Sequence, residues 1–303
     1  MATYSTTCTL DNATPSDAYL QSFMTAFYDC LEIGPVTQTS DTGQFDPTTV
    51  LWSSLNTTVG STYRVHYLND SLHSTRPIYI RSGWHIGSTS YLRNTVTIGT
   101  GSDGAGNITG LRFTYTNTGT QTAYAPATVT MAGTAGEGYC GVFSDCDRTN
   151  SSTAYSFAVF RTTDDNEDLT EEGALFYMYK VGSTGPMGLM AALDFAHTTY
   201  VDASQYFSFF PNSYVSALNF RNTSWDDENR DYAVVQYPLM NKLAKTPFMV
   251  SGWRSEWLAF TEELTATPIS AEHTYRPVRS NYNCGIADYS TDPTLTVPLI
   301  VWE

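Results

Sequence analysis

The segment Gly99-Thr-Gly-Ser-Asp-Gly104 has the GxGxxG spacing with which backbone amides cradle a pyrophosphate, and Ile98 closes a strand-like run just before it. A dinucleotide fingerprint must then open a helix. Here Asn107-Ile-Thr-Gly-Leu-Arg-Phe113 continues into another strand-like run, so the glycines read as a mobile loop in a hairpin and no cofactor is expected. Asp164-Asp-Asn-Glu-Asp168, with Glu171 and Glu172, gathers oxygen ligands as a calcium loop does. The sixth and twelfth positions, which need Gly and Glu, hold Leu169 and Leu175. That stretch and Asp226-Asp-Glu228 therefore read as solvated acidic loops. His66, His73, His85, His197 and His273 stand singly, without HExxH or the spacing of a zinc pair. GxSxG and the P-loop signature are absent. A Ser/His/Asp triad or a carboxylate pair would have to be assembled from distant segments, which spacing does not encode. The expectation is a chain with no catalytic residue, no cofactor-binding residue and no metal ligand.

The five cysteines, Cys8, Cys30, Cys140, Cys146 and Cys284, form an odd set without CxxC spacing and read as buried free thiols. A Cys140–Cys146 bridge stays open, requiring a tight turn at Gly141. Trp52, Trp84, Trp225, Trp253, Trp257 and Trp302 are candidates both for core positions and for sugar-stacking platforms. Asn-x-Ser/Thr triplets at Asn12, Asn56, Asn69, Asn107, Asn150 and Asn222 arise readily in a chain so rich in these residues, and glycosylation at them is not expected.

Thirty acidic against 15 basic residues give a net charge of −15, and the lysines are only Lys180, Lys242 and Lys245. Tracking of a phosphate backbone needs clustered cations, so nucleic acid is not an expected partner, nor is an anionic membrane. No apolar run has the length of a membrane-spanning helix. Met1-Ala-Thr-Tyr-Ser-Thr-Thr-Cys8 lacks the basic and apolar regions of a secretory signal, so synthesis in a cytosol is expected. A charged fraction of 15% beside 41% hydrophobic and 14% aromatic residues favours strands and polar loops around an ample core.

What must position all these residues is one helix and many strands. From Pro15 to Leu31, Leu20, Phe23, Phe27 and Leu31 recur on one face, with Thr14 as N-cap and Gly34 as the stop. Beyond it the period becomes two, and strands are expected over 61–68, 76–85, 91–98, 111–115, 154–161, 174–181, 231–236, 248–253 and 295–302. A short second helix is expected from Pro186 towards Ala196. The fold class is mainly β: an antiparallel β-sandwich or jelly-roll-like fold with one N-terminal amphipathic helix. The helical segment covers 1–35 and the β-rich body 36–303, the latter divisible into two β subdomains near 120–150. Pro-Ile-Tyr-Ile-Arg-Ser-Gly-Trp84 and Pro-Phe-Met-Val-Ser-Gly-Trp253 read as two similar strand ends rather than a duplication.

A resemblance adds to this reading. Arg76-Pro-Ile-Tyr-Ile-Arg-Ser-Gly-Trp84 and Tyr91-Leu-Arg-Asn-Thr-Val-Thr-Ile-Gly-Thr-Gly-Ser-Asp-Gly-Ala-Gly-Asn-Ile-Thr-Gly110 resemble a segment in structural proteins of tailed bacteriophages. Phe27-Tyr-Asp-Cys-Leu31 and Arg276-Pro-Val-Arg-Ser-Asn-Tyr-Asn-Cys-Gly-Ile-Ala-Asp-Tyr289 are similar in character. The resemblance implies a tail, baseplate or neck component of a virion. Its partners would be other virion proteins and copies of itself, and it transfers no catalytic residue. Arginine and aromatics in preference to lysine suit assembly interfaces, and the exposed helix face and the Gly99–Gly110 loop are the expected contact elements. The alternatives are a carbohydrate- or host-receptor-binding module using Trp84 or Trp253, a capsid cement protein, and an enzyme degrading envelope polysaccharide.

Overall fold

A computed structural model of the chain describes residues 2–10, 16–88, 91–111, 113–116, 121–122, 127–146, 156–164, 166, 168–182, 185–194, 201–202, 207–209, 234–235, 239–241, 246–250, 253–259, 275–277 and 294–301. In chain order the elements are β1 (Ala2–Leu10), α1 (Asp17–Leu31), β2 (Val36–Gln38), β3 (Thr62–Leu68), β4 (Tyr79–Ser88) and β5 (Tyr91–Gly99). There follow β6 (Gly101–Ser102), β7 (Ile108–Thr109), β8 (Phe113–Thr116), β9 (Gln121–Thr122), β10 (Ala127–Gly136) and β11 (Tyr139–Cys146). Then come β12 (Ser156–Thr163), β13 (Leu169–Gly182), β14 (Gly185–Asp194) and β15 (Val201–Asp202).

Two antiparallel sheets dominate. The larger runs β1-β10-β11-β12-β13-β14-β15, and the smaller runs β2-β3-β4-β5-β8 with β9 also on β5. The β12–β13 ladder shifts register between Arg161 and Thr163, and there Thr246–Val250 pairs with β12. Phe207–Phe209 and Leu239–Asn241 pair onward from that strand. Val234–Val235, Trp253–Ala259, Thr294–Val301 and Tyr275–Pro277 make a separate four-stranded sheet.

Helix α1 begins at Ser16, whose hydroxyl accepts the Tyr19 N–H at 3.0 Å, so the cap is two residues beyond the expected Thr14. The helix ends as expected: Gly34 sits at φ +55, a left-handed conformation that favours glycine. The expected apolar residues Leu20, Phe23, Phe27 and Leu31 are all buried, but so are Tyr19, Met24, Ala26, Tyr28 and Cys30. The reason is that the helix is clasped on two sides. Phe23 and Phe27 meet the Trp84 ring of β4 edge-on, with centroids 5.8 and 5.1 Å apart. On the other side the Cys30 carbonyl lies against Gly133 of β10, where a β-carbon would sit 1.8 Å from its oxygen. Only Asp17, Ala18, Ser22 and Asp29 of the helix are exposed. Beside the helix the sheets meet directly through Phe113 of β8 and Phe176 of β13, 4.7 Å apart. One apolar cluster thus joins both sheets and the helix, and each fully buried Phe or Leu in it contributes about 1.5–3 kcal/mol over an exposed one.

The mainly β, antiparallel architecture with an N-terminal helix is the expected one, and β3, β4, β5, β8, β12, β13 and Thr294–Val301 overlap their expected spans. Of 231–236 only Val234–Val235 is described, and 248–253 resolves into Thr246–Val250 and the start of Trp253–Ala259. The second helix is corrected: Gly185–Asp194 is strand β14, paired with β13 from Gly182↔Gly185 to Gly173↔Asp194. Its Met187, Leu189, Met190, Ala191, Ala192 and Leu193 make a nearly continuous apolar run, which periodicity alone does not assign to helix or strand. The pairing offered by the adjoining β13 decides it. Strands β1, β10 and β11 had no counterpart in the expectation: Thr, Ala and Gly dominate β1 and β10, and β11 sets Tyr139, Val142 and Phe143 among small and polar residues without alternation.

Substituting Gly133→Ala drives a methyl group into helix backbone, which cannot rotate aside as a side chain can. The expected loss is about 1–3 kcal/mol, read from the midpoint and slope of urea unfolding.

Candidate functional site

The Gly99–Gly110 segment is not a free loop. Gly101↔Thr109 and Ser102↔Ile108 pair as a small hairpin of their own, β6–β7, set into the connection from β5 to β8. At its tip the Asp103 carboxylate accepts the N–H groups of Ala105 at 2.8 Å and Asn107 at 3.0 Å, and the Asn107 amide donates to it at 2.7 Å. These bonds hold the Asp103 carboxyl below the usual carboxylate range, the Asn107 side chain contributing most.

The hairpin is docked onto the 41–42 turn and β3. Asp41 accepts the Gly106 N–H at 2.9 Å and the Ser102 hydroxyl. The Thr42 N–H and hydroxyl donate to the Gly104 carbonyl at 2.9 and 3.3 Å. The Tyr63 hydroxyl lies between the carbonyls of Thr42 and Ala105, at 2.9 and 3.0 Å. Gly106, at φ +86, lies so close over the Tyr63 ring that a β-carbon would stand 2.1 Å from it. Arg81 covers the ring at 4.3 Å from its centroid and donates to the Gly60 carbonyl at 2.7 Å. Asp103, Gly104, Ala105 and Asn107 are exposed at the tip. The result is a rigid, projecting, glycine-built surface element.

Two polar seams hold the sheets and helix behind it. At the C-terminus of α1, Glu32 accepts from Arg64 at 2.5 Å and from His66 Nε2 at 2.8 Å. His66 is fully buried and stacks on Tyr28 at 5.6 Å. The Tyr28 hydroxyl bonds the Ser82 hydroxyl at 2.8 Å and accepts from the Trp84 indole at 2.9 Å. Burial pushes the Tyr28 phenol well above its ordinary range and pulls His66 below its own, the Glu32 contact opposing the latter only in part. Helix α1 is thereby keyed to β3 and β4. The second seam runs from the β3–β4 connection to the larger sheet. The Arg161 guanidinium of β12 grips the Asp70 carboxylate, with Nη2 at 2.9 Å and Nε also donating, both side chains wholly buried. Beside it the Ser71 N–H donates to Glu137 at 2.8 Å, and Arg76 pairs with Glu171 at 3.1 Å.

The remaining sequence candidates fall as follows. Asp164 closes the β12–β13 turn, accepting the N–H groups of Asn166 at 2.8 Å and Asp168 at 3.0 Å. Asp226–Glu228 lies outside the described residues, among which no three His, Cys, Asp or Glu gather as a metal site. Trp84 is a core residue, 1% exposed, and presents no platform to a sugar. Trp52 donates its indole N–H to the Ser16 carbonyl at 2.8 Å. The side chains of Trp225, Trp253, Trp257 and Trp302 lie outside the description. A different aromatic group is partly exposed: Tyr67 and Tyr79 pair across β3 and β4, and His73 lies 4.6 Å from the former and 5.9 Å from the latter. His85 accepts the Gly60 N–H at 3.4 Å, while His197 and His273 lie outside the description. Asn56, Asn69 and Asn107 are exposed, and Asn12, Asn150 and Asn222 are not described.

Cys8, Cys30 and Cys140 are buried, and burial pushes the Cys30 and Cys140 thiols up to about 12. Cys140 and Cys146 lie on the same strand, β11. At ~3.3 Å per residue they stand roughly 20 Å apart, which rules out a bridge between them.

Asp41, Tyr63, Asp70 and Arg161 were not singled out by sequence. Asp70 and Arg161 meet across 91 positions, a separation no local pattern signals. No family model, curated protein or solved structure matches the chain.

Replacing Asp70→Asn leaves the Arg161 charge buried and uncompensated, and about 3–5 kcal/mol of stability should be lost. The double variant Asp70→Leu, Arg161→Met removes both charges and should recover most of it in the same denaturation assay. A second expectation concerns pH. Folding holds His66 neutral below its ordinary value of 6.5, so the unfolded chain binds the proton first as pH falls. Stability is therefore complete above pH 6.5 and declines below it, His85 adding in the same direction. Each histidine contributes a slope of at most about 1.4 kcal/mol per pH unit, and His66→Phe should remove one such share between pH 6.5 and the folded value. An unchanged slope would contradict the assignment.

Proposed function

We propose that the chain is a structural component of a tailed bacteriophage virion, tail-, baseplate- or neck-associated, and works through protein–protein assembly contacts. The observation that carries the reading is the docked hairpin. A projecting element already fixed by Asp41, Thr42 and Tyr63 loses little conformational freedom when a neighbour packs on it. The residues that carry the phage resemblance, 76–84 and 91–110, fall on the approach to β4, on β4 and β5 of the smaller sheet, and on this hairpin, which follows β5. The chain's composition agrees, with three lysines against 21 tyrosines. On this reading the chain folds in the host cytoplasm and resides in the particle, and the buried polar seams serve rigidity.

The test is mass spectrometry and cryo-electron microscopy of purified particles whose genome encodes the chain, which should find it at a fixed copy number. Asp41→Ala removes the acceptor of Gly106 and Ser102 and should lower incorporation several-fold while the free chain stays folded. Absence from the particle overturns the proposal. Glycan capture by the free chain, lost in Tyr67→Ala, would move the reading to receptor binding, and release of products from envelope polysaccharide would move it to an enzyme.

A further inference from the structure

Strand β1 forms an edge of the larger sheet. It pairs with β10 in an unbroken register from Ala2↔Ala135 to Leu10↔Ala127, and among the described residues no strand pairs on its other side. Edge strands in soluble proteins carry charges, prolines or bulges that discourage addition of a further strand. Ala2-Thr-Tyr-Ser-Thr-Thr-Cys-Thr-Leu10 has no charged residue and no proline, and its ladder has no bulge. Threonine and tyrosine, five of its nine residues, are strong strand formers. Tyr4, near the strand's middle, is 41% exposed, one of few large hydrophobic side chains so exposed among the described residues.

We infer that β1 pairs antiparallel with β1 of a second copy about a two-fold axis, so that the larger sheet runs continuously through a dimer. Charge selects this occupant. With a net charge of −15, two copies repel wherever acidic surfaces face each other, but residues 2–10 bring no carboxylate into the contact. Both partners are already extended and hydrogen-bonded on one side, so pairing orders little new chain. A two-fold contact is self-complementary and closes at two copies. A register centred on Thr6 opposes all nine residues and brings Tyr4 beside the partner's strand. The inference does not depend on a virion and concerns the free protein.

Sedimentation velocity on the full chain over about a hundredfold range of concentration tests it. Wild type should shift from monomer to dimer, and hydrogen exchange should show β1 amides gaining protection over the same range. Thr6→Lys and Thr6→Glu each place like charges across the axis and should weaken the dimer about tenfold or more, with circular dichroism unchanged. Mixing the two variants should restore association, since opposite charges then face each other. A wild-type chain that stays monomeric, or β1 amides whose protection does not vary with concentration, overturns the inference. So does a mixture no better associated than its components.

Discussion

A helix with one apolar face can lie on a sheet, but α1 has two, and that single fact orders the molecule. Phe23 and Phe27 need a partner on one side, and the Cys30 backbone needs close approach on the other. Only a layer on each side satisfies both. The smaller sheet supplies Trp84, and the larger sheet supplies a glycine where any β-carbon would collide. Removing the helix would leave two sheets with apolar inner faces separated by its width, joined among the described residues by the Phe113–Phe176 contact and the polar seam of Asp70 with Arg161.

Apolar burial brings the layers together but is indifferent to register. Direction comes from the polar seams. Tyr28 reaches Ser82 and Trp84 only if α1 is correctly rotated over β4, and Glu32 reaches Arg64 and His66 only if the helix ends at the right height. Asp70 and Arg161 fix the smaller sheet's β3–β4 connection against β12 in the same way. Such pairs add little net stability over a well-packed apolar alternative, yet a misaligned arrangement would leave their charges buried alone. Their effect is to make wrong packings costly.

Much of this was legible in the sequence where local pattern determines local structure. The helix announced itself through Leu20, Phe23, Phe27 and Leu31, and the smaller sheet through clean alternation in β3, β4 and β5. The second apolar face of α1 was concealed by Tyr28 and Cys30, residue types that read equally well as exposed or buried. Strand β14 was misread because both of its faces are apolar, and β10 went unassigned because it is built largely of small residues, Gly133 being required by the helix above it. The hairpin's docking was invisible for another reason: apart from the Ser102 hydroxyl, the hydrogen bonds from the Asp41 and Tyr63 side chains reach backbone atoms of the hairpin, which leave no signature in side-chain identity.

That last feature has an evolutionary corollary. The anchor grips the carbonyls of Gly104 and Ala105 and the amide of Gly106, not the Ala105 side chain, and a β-carbon at Gly104 would meet nothing within 4 Å. The scaffold and the chemistry displayed at its tip are therefore written in different atoms. Substitution at position 105 can alter what a neighbour encounters without disturbing the grip, giving the molecule a place where specificity can drift while architecture stands still.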